Sequence, residues 1–213
     1  SRETAQRAID QTAATLGRLV EKGRLDAARR DAALARLRAA SNPAECAPAE
    51  LLIEAVVEDL DRKIRILRPY AAAAPAALLA SNTSSLSIAA IGAGLDAGPR
   101  TVGMHFFNPV PLMPLVEIIA APTTTAAAAE RATAIAKEWG KTPVRVADTP
   151  GFIVNRVARG YYLEALRMLG EGVAGVDEID RSLKSLGGFR MGPFELMDLI
   201  GIDVNYTVSQ SVW

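Results

Sequence analysis

One cysteine and one histidine stand in 213 residues. Cys46 has no intrachain partner for a disulfide, and with a single histidine the chain cannot build a Cys-His or multi-histidine zinc site. Net charge is absent too, since 24 basic side chains balance 24 acidic ones. A polyanion binder needs a basic excess to neutralise phosphates, so no nucleic-acid partner is expected. Long apolar runs are also lacking. The longest, Ala71 to Ala80, is broken by Pro75, against the roughly 20 residues that a spanning helix needs. No secretory leader pattern opens the chain, so the expectation is a cytoplasmic protein without membrane contact.

What is present is a globular composition, 50% hydrophobic and 23% charged. That suits one large domain, or one domain and part of another. Apolar residues Ile9, Ala13, Leu16 and Val20 recur at helical spacing over residues 3–22, and Gly23 offers a C-cap. Asp26 can cap a second helix to residue 39. Strand-length apolar runs then alternate with helical ones. Strands are expected at 51–57, 77–80, 101–107, 115–119 and 142–146, and helices at 59–70, 87–91 and 125–139. This alternation implies a mainly parallel α/β sheet up to residue 147. From Phe152 onward only helices are expected, at 152–169, 176–186 and 193–213, with Pro193 at the first helical position of the last. The division is therefore residues 1–147 and 148–213.

Two glycine patterns are decoys. Gly170-Glu171-Gly172-Val173-Ala174-Gly175 fits G-x-G-x-x-G, but a dinucleotide fingerprint follows a strand and opens a helix. Here a long helix precedes it, so a helix–helix loop is the better reading. Gly92-Ala93-Gly94 follows a helical turn and runs into Pro99, which again reads as a turn.

Four segments offer chemistry. His105 ends an apolar strand just before a loop, and open α/β sheets bind ligands beyond the carboxyl ends of their strands. A histidine there can act as a general base. Glu117 lies on the next strand among apolar neighbours, where a carboxylate is costly unless paired. A neighbouring strand could set it against His105, although spacing alone favours a plain core histidine and an edge glutamate. Ser81-Asn82-Thr83-Ser84-Ser85 follows a strand, and its simplest role is to cap the short helix after it. Asn155 sits in the first turn or so of an apolar helix, paired to backbone or aimed at a ligand. Glu54, Glu58 and Lys63 read as a solvated helix face with an acidic first turn, less so for Glu54, which interrupts an apolar strand.

Taken together, Ile53–Glu58, Ser81–Ser85, His105–Pro109, Asp148–Arg156 and Met191–Leu196 resemble, in this order, the NAD-dependent L-3-hydroxyacyl-CoA dehydrogenases. The resemblance implies a Rossmann-type dinucleotide-binding domain over 1–147 followed by an all-helical domain from 148, which dimerises and covers the acyl-CoA. It implies His105 as the general base for the 3-hydroxyl and Glu117 as the group that orients its ring. Ser84 is implied to hydrogen-bond the reacting oxygen and Asn155 to position the substrate. Glu58, Lys63, Asn82 and Asn108 match positions near NAD. Arg190 is a candidate contact for a carboxylate-bearing acyl chain. That family opens with a strand, a G-x-G-x-x-G loop and a second strand that have no counterpart in these residues. The expectation is thus an incomplete Rossmann-type domain and a truncated helical one, from a longer natural protein. The alternative is a non-catalytic module that only binds acyl-CoA or dimerises. A β-hydroxyacid dehydrogenase is disfavoured, because the resemblance pairs that chemistry with a lysine base where His105 stands.

Overall fold

In the computed structural model, which describes residues 2–212, the chain divides into two units. One comprises Ser1–Glu50 with Arg68–Ala77 and the other Leu51–Leu67 with Leu78–Trp213. In the first unit, α1 (Arg2–Glu21) packs against α2 (Ala27–Leu34). Asp26 caps α2 by accepting from the Ala28 and Arg29 amides. This helix was expected to reach residue 39 and ends at Leu34, two residues before Arg36 and Leu37 turn back on themselves.

The second unit contains a five-stranded sheet in the order β1-β2-β3-β4-β5: β1 (Leu51–Glu54), β2 (Leu78–Ser81), β3 (Thr101–Phe106), β4 (Leu115–Ala120) and β5 (Thr142–Ala147). Every neighbouring pair is parallel except β3–β4. The exception follows from the connection. Residues 107–114 are too few for the crossover a parallel return needs, so β4 runs back beside β3. β2 is buried throughout and β3 nearly so, as expected for strands covered on both faces. Leu78, Val102, Met104, Val116 and Ile118 form the core with Ala128, Ala132 and Ala136 of α5 (Ala126–Glu138). Alanines spaced four apart give α5 a flat stripe that lies close against the strands.

The intervening helices are α3 (Leu60–Ala73) and α4 (Ile88–Gly94). α3 runs through Pro69 and ends three residues later than expected. The four residues of the final turns continue the helix beyond the proline, which removes only one backbone donor. The helical region holds α6 (Val154–Gly170), α7 (Val176–Ser185), α8 (Pro193–Ile200) and α9 (Ile202–Val212). The expected single helix over 193–213 is two, because Gly201 takes a φ of 100° that a right-handed helix cannot hold. Gly170–Gly175 joins α6 to α7, and Gly92 and Gly94 lie within α4, so neither glycine pattern is a strand-to-helix phosphate loop. Among the described residues no helix is long and apolar enough to cross a membrane.

Candidate active site

The antiparallel register sets His105 directly opposite Glu117. Facing residues of such a pair project to the same side of the sheet, and here the His105 Nδ1 to Glu117 Oε2 distance is 2.7 Å. Both side chains are buried. A carboxylate can only accept, so the proton of this bond belongs to Nδ1 and the Nε2 lone pair is left free. Among the described residues Nε2 has no hydrogen-bond partner. The ring lies against Phe107 and Phe152, at centroid separations of 4.6 and 5.6 Å.

The other oxygen of Glu117 has a second task. Oε1 accepts from the amides of Ile153 and Val154, at 2.9 and 3.0 Å, and these open α6. A carboxylate there satisfies orphan donors and meets the positive end of the helix dipole. Burial alone would raise the Glu117 pKa. The hydrogen bonds from His105, Val154 and Ile153 outweigh it and hold the group below the usual carboxylate value. The backbone that aims those amides is unusual. Gly151 and Phe152 both have positive φ, 73° and 49°. For a phenylalanine that costs about 1–2 kcal/mol, offset here by its buried ring beside His105.

Asn155 follows in the first turn of α6, and its Nδ2 donates to the Ser84 carbonyl at 3.3 Å. The sheet, the Ser84 loop and α6 thus meet at one place. The loop itself is not the cap of α4, contrary to expectation. Ser87 fills that role, with Asp148 accepting from the Ser87 hydroxyl and the Ile88 and Ala89 amides. The loop is gripped instead by Glu58. Its Oε1 accepts from the Thr83 hydroxyl at 2.5 Å, the Ser84 and Ser85 amides at 2.9 and 3.0 Å, the Ser85 hydroxyl at 2.9 Å and, more distantly at 3.4 Å, the Ser84 hydroxyl. Burial would raise the Glu58 pKa. The Thr83 and Ser85 hydroxyls, Lys63 and the Ser84 amide pull it below the usual value.

Lys63 is no solvated residue. Its side chain is 1% exposed and pairs with Glu54 at 2.9 Å and Glu58 at 3.2 Å. Asn82 accepts from the Phe106 amide at 2.9 Å, joining the carboxyl ends of β2 and β3, and Asn108 lies on the exposed loop after β3. A cleft of about 280 Å³ opens over Glu58, Ser84 and Ser85, walled by Asp203 and Thr207 of α9. A larger apolar groove of about 920 Å³ runs between α6, α7 and α8, with Tyr161, Phe189 and the exposed Arg190 in its lining. No group of three potential metal ligands occurs among the described residues.

Residues 1–149 match the family model described as "3-hydroxyacyl-CoA dehydrogenase, NAD binding domain", and residues 151–213 match "3-hydroxyacyl-CoA dehydrogenase, C-terminal domain". The chain belongs to the 3-hydroxyacyl-CoA dehydrogenase family. Within that family it is 46% identical to the 3-hydroxyadipyl-CoA dehydrogenase of Escherichia coli over 100% of its own length and 45% of that protein. It is 44% identical to the human mitochondrial hydroxyacyl-coenzyme A dehydrogenase over 72% of this chain and 49% of the other. The crystal structure of E. coli 3-hydroxybutyryl-CoA dehydrogenase superposes with a TM-score of 0.96 at 46% identity, over 100% of this chain and 45% of that one. That of (S)-3-hydroxybutyryl-CoA dehydrogenase from Ralstonia eutropha gives 0.95 at 36% identity, over 99% and 75%. The chain thus spans about half the length of the curated relatives named here.

The family model names NAD. Glu58, Asn82, Ser84 and Asn108 all follow the carboxyl ends of β1, β2 and β3, the ligand side of such a sheet. Among the described residues no glycine-rich turn joins a strand to a helix, so these residues supply no pyrophosphate cradle. Sequence reasoning did not foresee Thr83 and Ser85 as ligands of Glu58, Phe152 as the wall of the imidazole, or Asp148 as a tie between the 148–151 junction and α4. The positive-φ pair at Gly151 and Phe152 had half a signal, in the Pro150-Gly151 turn. The others depend on tertiary partners.

Proposed function

We propose that this chain carries the reaction centre of an oxidoreductase that interconverts L-3-hydroxyacyl-CoA and 3-oxoacyl-CoA with NAD(H). The observation that carries the proposal is the His105–Glu117 pair, which leaves one basic nitrogen free at the ligand edge of the sheet. When bound, NAD supplies the hydride acceptor, a chemistry no side chain offers. His105 Nε2 takes the 3-hydroxyl proton as the C3 hydrogen departs as hydride, leaving a ketone. In the reverse direction it returns that proton to the oxygen. Glu117 stays ionised and holds the imidazolium that forms, as the electrostatics of a fixed carboxylate demand. The Ser84 hydroxyl hydrogen-bonds the reacting oxygen, and Asn155, tied to the Ser84 carbonyl, positions the substrate beside it. Glu58, Asn82 and Asn108 border the cofactor, with Lys63 beneath them.

Residues 1–147 then act as the nucleotide-binding part, and residues 148–213 cover the acyl-CoA and form the face for a homodimer. The exposed apolar groove of α6–α8 supports that face. The substrates would arise in fatty-acid or aromatic-acid degradation, in line with a relative named as the alpha subunit of a fatty acid oxidation complex. The intact base argues against a purely non-catalytic acyl-CoA-binding or dimerisation module.

His105→Gln is the test, read by NADH absorbance with acetoacetyl-CoA. Removing a general base costs about 10²–10⁴ in rate, so turnover should fall by at least about a hundredfold with the circular-dichroism spectrum unchanged. Turnover near that of the parent would reject the proposal.

A further inference from the structure

Beneath the Ser84 loop lies a buried charged group. Glu54 ends β1, and its side chain is 1% exposed. Its Oε2 accepts from the Ser81 hydroxyl at 2.6 Å, and its Oε1 accepts from the Val56 amide at 2.6 Å and the Lys63 ammonium at 2.9 Å. Lys63 also donates to the Val56 carbonyl at 3.0 Å and reaches Glu58 Oε2 at 3.2 Å. An ammonium has three protons, and here three acceptors surround it. None is left for a ligand. Lys63 therefore serves the site from below, by holding Glu58.

Glu58 in turn uses its other oxygen on the loop, accepting from the Ser84 and Ser85 amides, from the Thr83 and Ser85 hydroxyls and, at 3.4 Å, from the Ser84 hydroxyl itself. The result is a continuous line from the end of β1 to the end of β2: Glu54, Lys63, Glu58, then the Ser84 backbone. A buried ion pair is a poor source of stability, and well-packed apolar residues often do as well or better. What it offers is geometry. With Glu54 neutral, Lys63 would have Glu58 as its one charged partner, and that carboxylate would be drawn down, away from the Ser84 and Ser85 amides. The Ser84 hydroxyl, carried on the same backbone, would shift with it. Displacements well under 1 Å at a reacting group are costly.

We propose that Glu54 is a positioning residue for the reaction centre: through Lys63 and Glu58 it fixes the backbone of Ser84 and Ser85, and with it the hydroxyl that meets the reacting oxygen. The role of Ser84 rests on the function proposed above, whereas the control of the loop does not.

The experiment uses Glu54→Gln, alone and combined with Ser84→Ala. Amide hydrogen exchange at Ser84 and Ser85 should accelerate about tenfold or more, the loss of roughly one charge-assisted hydrogen bond. Amides of β3 and β4 should keep their protection. With acetoacetyl-CoA and NADH, kcat should fall about 10- to 100-fold with KM for the acyl-CoA within about twofold. In the Ser84→Ala background Glu54→Gln should then lower kcat no further, because the two act through one atom. A merely structural role would give additive losses. Unchanged exchange at Ser84 and Ser85, or additive effects on kcat, would overturn the proposal. Should Glu54→Gln fail to fold, the neutral pair Glu54→Gln/Lys63→Met removes the stranded ammonium and is read in the same way. Native exchange and native kcat in that pair would equally overturn it. If the parent chain, which supplies no pyrophosphate cradle, turns over no acyl-CoA, the exchange measurement alone decides on Glu54.

Discussion

Replacing Glu117 by glutamine keeps the side chain's shape and removes its charge. The carboxylate accepts from His105 Nδ1 at 2.7 Å and from the Ile153 and Val154 amides at 2.9 and 3.0 Å. An amide cannot do all of this, since one of its ends only donates. If its oxygen stays on the two backbone amides, its NH₂ faces Nδ1. The ring must then carry its proton on Nε2, and the base is gone. If the amide turns over, the NH₂ confronts two backbone donors instead. A charge-assisted hydrogen bond is worth about 1.5–3 kcal/mol, and this one strengthens as the imidazolium forms, so its loss falls on the transition state. At about 1.4 kcal/mol per tenfold, that is about 10–100 in kcat. The lost tautomer adds a comparable factor, for about 10²–10⁴ in all. KM should change little, because Glu117 lies behind the histidine. A buried donor facing a donor costs about 1–3 kcal/mol of stability, or about 2–12 °C in Tm for a chain of this size. The assay is NADH absorbance over a range of acetoacetyl-CoA concentrations, below the Tm of the variant. A folded Glu117→Gln protein with kcat within about threefold of the parent, or one whose loss lies wholly in KM, would refute the reasoning.

Acid should destabilise the fold in a defined window. Glu58 and Glu117 are both held below the usual carboxylate value. Their contribution is therefore present above the unfolded value of about 4.3 and disappears as pH falls through the lower folded values. Tm should stay level with respect to these groups above about pH 5 and fall below it, with a shallower fall in Glu117→Gln; an equal fall in that variant would remove Glu117 from the account. Gly192→Ala should cost about 2–3 kcal/mol in denaturant unfolding. A Cβ at that position would lie 2.2 Å from Asp180 Cγ, and Asp180 holds the start of α8 through the Phe194 and Glu195 amides. A change below about 0.5 kcal/mol would show that Asp180 is free to move.

The part of the site that rests on local pattern was legible from the sequence. The short connection between two apolar strands marked them as candidate neighbours, yet spacing alone favoured a plain core histidine and an edge glutamate, and it was the family resemblance that paired His105 with Glu117. Pro193 after Gly192 marked the start of α8 by local pattern. Lys63 was not legible. It falls among charged residues on a helix, where a solvated face is the ordinary outcome, and its burial depends on Glu54 coming from a strand nine residues earlier. Glu58 looked like a helpful charge ahead of α3, but its partners are Thr83, Ser84 and Ser85, 25 to 27 positions onward. The serine-rich run looked like a cap because serine usually is one. Ser87 took that role because it directly precedes Ile88, the first residue of α4. The break at Gly201 was hidden because a glycine within an apolar helical pattern costs only about 1 kcal/mol, too little to mark an end by itself.

Three helices begin on carboxylates borrowed from elsewhere in the chain. Asp148 meets the first amides of α4 across 59 and 60 positions, Glu117 those of α6 across 36 and 37, and Asp180 those of α8 across 14 and 15. α4 and α8 span only 7 and 8 residues, well short of the length at which a helix persists by itself in water. Their appearance during refolding is consequently tied to distant chain closure rather than to local coil-to-helix kinetics. Helical signal from α4, whose cap Asp148 directly follows β5, should arrive with the assembled sheet and never ahead of it, and that from α8 should arrive with α7, which carries Asp180.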